Sequence, residues 1–173
     1  VKITRVLLTA AAALLIQMVL ARFAIGGRWA FDFVLVGVVY AALRWGPVSG
    51  MWVGTLSGLA QDALSGDVIG LGGFAKTVVG YGAGVAGTQF IVARPFARAG
   101  VVAAATVPHR LIIVGLLAVV DQDWKGVSWA AMLMETGFNA LAGLIAFQVT
   151  EMLPGAVRQS RARRRPALSR RQW

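Results

Sequence analysis

The chain has no cysteine, a single histidine and only seven acidic residues in 173 positions. Each shortage excludes a chemistry. Without cysteine there is no disulfide and no thiolate metal site. His109 stands in no Ser–His–Asp arrangement and has no metal-ligand spacing around it, so a hydrogen bond to a neighbouring helix is its expected use. Scattered carboxylates with one imidazole do not assemble a nucleophile and an acid–base pair, and neither an enzyme nor a bound cofactor is expected. Charged residues are 14% of the chain and hydrophobic ones 58%, with a mean hydropathy of +0.72. A soluble domain holds about 45–50% apolar residues. The apolar runs leave no stretch free to fold separately in water. The expected fold is therefore an all-α membrane protein, six transmembrane helices in one bundle.

The spans are expected at about 6–25, 29–45, 47–63, 69–93, 99–120 and 129–153, within a membrane domain of residues 1–157. The first run follows Lys2 and Arg5, is long for a cleaved signal and is followed by further spans, so it is expected to be retained. Trp29 and Trp45 flank the short second run as interfacial anchors, with Asp32 at its boundary. Pro47 suits the first turn of the third helix. Pro108 predicts a kink in the fifth, and Pro154 with Gly155 a stop after the sixth.

The most regular feature is a glycine every four residues: Gly46, Gly50, Gly54 and Gly58. On a helix these positions form one stripe, a surface that another backbone can approach closely. Gly80 and Gly84 on the next helix offer a second such surface. The stripe serves either internal packing or a partner's helix. Asp62 follows it, and three uses stay open: a cap for the following turn, a pair with Arg28, or a contact with a partner, beside plain solvation at a helix end. The later cluster Gly70, Gly72, Gly73 is not a phosphate loop, because no Gly-Lys-Ser or Gly-Lys-Thr follows.

Three charges fall inside spans, where they are costly and turn inward: Lys76, Arg110 and Glu135. Counted along their helices, Lys76 and Glu135 lie about 10 Å, and Arg110 about 15 Å, below the exterior end. Glu135 reaches either cation if the helices are neighbours. The reading is an intramembrane ion pair or, with Asn139, a ligand site.

Basic residues set the orientation. Lys2, Arg5, Arg44, Arg94, Arg98 and the C-terminal arginines fall on one side of a six-span chain, which makes that side, and both termini, cytoplasmic. Arg22 and Arg28 dissent. The tail, residues 158–173, carries Arg158, Arg161, Arg163, Arg164, Arg165, Arg170 and Arg171 and no acidic residue. It is expected to be disordered and drawn to anionic membrane lipid. Nucleic acid is not the expected partner, since only Trp173 accompanies the arginines.

The stretch FDFVLVGVVYAALRWGPVSGMWVGTLSGLAQDALSGDVIGLGGFAKTVVGYGAG, residues 31–84, resembles the core of the MreD family of rod shape-determining membrane proteins. Asp32, Gly50, Gly54, Gly58, Asp62, Gly66, Gly70 and Gly72 occupy its pattern. The resemblance implies a non-enzymatic subunit of lateral wall synthesis in the bacterial cytoplasmic membrane. It would work with MreC and, through it, with MreB filaments, the glycosyltransferase RodA and a class B penicillin-binding protein. The family is also similar to the substrate-binding S components of energy-coupling-factor vitamin transporters. That similarity supplies a rival reading, a vitamin-uptake subunit with Lys76, Glu135, Asn139 and Gln61 lining an exterior pocket.

Overall fold

The computed structural model describes residues 3–21, 31–66, 68–89, 95–120 and 128–163. Arg22, Arg28, Trp29, Arg94, the loop 121–127, Arg164, Arg165, Arg170 and Arg171 lie outside the described residues. Six helices follow one another: α1 (Ile3–Ala21), α2 (Phe33–Trp45), α3 (Pro47–Ser65), α4 (Leu71–Gln89), α5 (Pro95–Val120) and α6 (Trp129–Arg163). There is no strand among the described residues.

The middle of the bundle is α2. Val34, Leu35, Val36, Val38, Val39, Ala41 and Ala42 are all buried, round most of the helix, and α2 packs against each of the other five. A helix apolar all round belongs inside. Two clusters meet on it. One joins Leu35, Val36 and Val39 to Val79, Val102, Ala105 and Phe147; the other joins Val34, Val38 and Ala41 to Val6, Ala10 and Val53. Outside, large apolar side chains such as Leu8, Leu15, Phe96 and Leu133 face outward, the inverse of a water-soluble surface.

The glycine stripe packs internally, against α4. A β-carbon built on Gly58 would stand 2.6 Å from the Gly73 Cα, one on Gly50 would stand 2.5 Å from the Gly80 carbonyl, and one on Gly54 would strike the Lys76 carbonyl. Gly84 is crowded in the same way by Pro47. Gly46 falls outside the stripe. It ends α2 at φ 93°, donates its N–H to the Ala42 carbonyl at 2.9 Å, and has open space where a β-carbon would be. Its role is the sharp reversal that lets Pro47 open α3 at once.

Expected boundaries move, two of them with a clear physical reason. The second helix begins at Phe33, not near residue 29, because Asp32 caps it by accepting from the Leu35 N–H at 3.0 Å. Asp32 is accordingly buried in the bundle and is not a boundary residue. The sixth helix passes Pro154 and Gly155 and continues to Arg163. Once a helix exists its extension is inexpensive, and Ala, Gln and Arg favour it. The same extension makes 158–163 helical where disorder was expected.

Three helices hold segments long and apolar enough to cross a membrane: Ile3–Leu20, Phe96–Val120 and Trp129–Thr150. α2 is apolar but shorter. In α3 and α4, glycine, serine, threonine and buried polar groups lower the hydropathy that the other helices keep.

Candidate functional site

A helix that starts inside a bundle brings unpaired N–H groups with it, and α2 does so. Its first donors are met by side chains from both flanks. The Asp32 N–H donates to Asn139 Oδ1 of α6 at 2.8 Å, and the Phe33 N–H donates to Gln17 Oε1 of α1 at 2.8 Å. Asn139 is held in turn, its Nδ2 donating to Thr106 Oγ1 of α5 at 3.3 Å, while Thr106 donates to the Val102 carbonyl at 2.9 Å.

The Asp32 carboxylate has a second role. Lys76 Nζ of α4 lies 2.8 Å from Asp32 Oδ2, with both side chains more than nine-tenths buried. The ammonium also lies 3.2 Å from His109 Nε2 of α5. An ammonium only donates, so Nε2 accepts and the ring hydrogen sits on Nδ1, a buried atom with no partner. Asp32, Lys76, His109, Asn139, Thr106 and Gln17 thus tie five helices together at one level.

Next to His109 in the chain, Arg110 Nε stands 3.7 Å from Glu135 Oε2. This contact is looser, since the Arg110 side chain is 38% exposed. Glu135 meets Arg110 and not Lys76, because Lys76 is taken by Asp32. The two carboxylates and two cations of this level balance. Among the described residues no group of three or more His, Asp or Glu side chains is placed to hold a metal ion.

Asp62 lies elsewhere, at the α3–α4 corner. It is neither a solvated helix-end residue nor free for a partner: it is buried, and its Oδ2 accepts from the Gly70 N–H at 2.9 Å and the Gly73 N–H at 3.1 Å. It caps α4 from the preceding helix, a position the macrodipole favours for a carboxylate. Gly72 is needed beside it, because a β-carbon there would collide with Asp62 Oδ1. Asp62→Ala is expected to cost about 1–2 kcal/mol, and Asp62→Asn, which keeps an acceptor but loses the charge, less. Thermal denaturation in detergent checks the order.

The sequence singled out neither Thr106 nor Gln17 as a site residue. The signal was available in the shortness of the second apolar run: a 13-residue helix is about 20 Å long, so one end must lie inside and require capping.

A family model described as rod shape-determining protein MreD matches residues 2–151. No curated protein and no solved structure matches the chain.

Proposed function

Because the chain belongs to the MreD family of rod shape-determining proteins, we propose that it is a non-catalytic membrane subunit of the wall-elongation complex. In this role it supports MreC and, through MreC, MreB, RodA and a class B penicillin-binding protein. The observation that carries this reading is how the buried polar groups are used: Asp32, Lys76, Asn139, Thr106 and Gln17 are engaged with one another and with the start of α2. Such a cluster fixes helix positions. The uptake reading loses two of its four ligand groups, because Asn139 is occupied at both ends of its amide and Lys76 is held by Asp32 and His109.

Six membrane crossings belong to the same proposal. The long apolar segments of α1, α5 and α6 cross by their own length, and α2, α3 and α4 cross as the bundle's interior and its glycine-packed hairpin. Both termini are then cytoplasmic, beside the basic residues and the arginine tail. Reporter fusions after residue 173 should be active in the cytoplasm and inactive outside it; the reverse result would exclude six crossings.

The function is tested in a rod-shaped bacterium depleted of its own family member. Expression of this chain is expected to restore rods, and MreC is expected to co-purify with it. Cells that stay round while the protein accumulates, with no MreC recovered, would overturn the proposal.

A further inference from the structure

The helices around α2 do not close into a full ring. Among the described residues no Cα of α1 comes within 8 Å of one in α6, although both helices pack on α2. The seam between them runs over one side of α2. Positions 33, 37, 40 and 44 share that side at helical spacing, and they are only half-buried, or exposed at Arg44, where Val34, Leu35, Val38 and Val39 are fully buried.

Its walls are apolar. On α1, positions 5, 9, 12 and 16 form one flank, with Ile16 exposed, whereas Ala10 on the other flank joins Val53 of α3 in a common cluster. On α6, Phe138 and Ile145 are exposed, and Phe138 meets Phe31 edge-on at 6.3 Å at the far end. The near end is basic. Arg5 and Arg44 are both exposed, and they stand at about the same level, because α1 and α2 run antiparallel with Gln17 against Phe33 and Ala13 against Gly37, a register that brings the start of α1 beside the end of α2. Tyr40 and Trp45 lie edge to face there, 6.0 Å apart.

An apolar channel with two guanidinium groups and an aromatic pair at one mouth matches a molecule with hydrocarbon chains and a phosphate. Arginine binds phosphate through a planar fork of donors, and aromatic rings favour headgroup depth. A partner's transmembrane helix would fill the apolar length but leave the arginines unanswered. We propose that the α1–α6 seam holds one anionic phospholipid, its chains along Ile16, Tyr40 and Phe138 and its phosphate between Arg5 and Arg44. This goes beyond the role in the elongation complex and does not depend on it.

The test uses the full-length protein in detergent with phosphatidylglycerol or phosphatidylcholine of the same chains, each carrying a diazirine in one acyl chain. Phosphatidylglycerol is expected to label peptides containing Ile16, Tyr40 and Phe138 in preference to Trp52 and Tyr81, which on α3 and α4 are as exposed as Ile16 and Phe138 and more exposed than Tyr40. Its advantage over phosphatidylcholine should fall about fivefold in Arg5→Gln and again in Arg44→Gln. The arginines after residue 157 attract the same lipid without placing it, so the labelled position decides. Equal labelling of the α3–α4 face, or a preference unchanged in both variants, would overturn the site. So would a partner helix that crosslinks along Tyr40 and excludes the lipid.

Discussion

Gly54→Leu is expected to leave little folded protein in the membrane. The position faces the Lys76 carbonyl so closely that even a β-carbon collides, and the obstacle is helix backbone, not the end of a flexible side chain. Overpacking of a core commonly costs about 1–3 kcal/mol and more where nothing yields. The damage also travels, because the carbonyl belongs to the residue whose ammonium holds Asp32. Gly54→Ala should show the same defect in milder form, and Leu56→Ala, two residues on, on the opposite side of the helix and 40% exposed, very little. Fluorescence-detected gel filtration of tagged protein measures all three. Wild-type accumulation of Gly54→Leu would mean that the stripe is free for a partner's helix.

The second large effect concerns the buried pair. Lys76→Met leaves the Asp32 carboxylate without its cation, and Asp32→Asn leaves the ammonium without its anion while keeping an oxygen to cap α2. Breaking a buried pair from one side costs about 3–5 kcal/mol, whereas removing both charges costs far less. The double variant Asp32→Asn with Lys76→Met is therefore expected to denature closer to the wild type than either single variant does. Thermal denaturation in detergent supplies the cycle, and simple addition of the two single losses would show that the charges are not coupled. Cell shape should follow stability in this series, with rods recovered in the double variant, if the pair serves only to hold the helices.

What the residues disclosed in advance depended on the range over which they act. The glycine repeat is local, and a period of four announces a packing face at Gly50, Gly54 and Gly58 before any partner is known. It did not say which backbone lies opposite, since Gly73, Gly80 and Lys76 on α4 and a foreign helix satisfy the same pattern. The depth count put Lys76 and Glu135 on one level, but level is not adjacency. Lys76 takes Asp32 because α2 is short and central, a fact of length that was read as minimal spanning and not as burial. Asp62 was legible as a cap only through Gly70 and Gly73, whose N–H groups turn toward it once the Gly66 and Gly70 reversals are made. The proline at 154 misled because an interior proline removes one backbone hydrogen bond without necessarily ending the helix, and good helix formers follow it.

The bond from the Asp32 N–H to Asn139 joins residues 107 positions apart. At a synthesis rate of about 5–20 residues per second, the start of α2 waits roughly 5–20 s for its acceptor after it leaves the ribosome. During that interval the second helix is inserted with an unanswered donor and a carboxylate that finds Lys76 well before it finds α6. A chain cut short anywhere before Asn139 never closes this end. Arrival of the sixth helix is thus recorded in the centre of the bundle, and a product truncated before Asn139 keeps at its core a polar group that the longer chain satisfies.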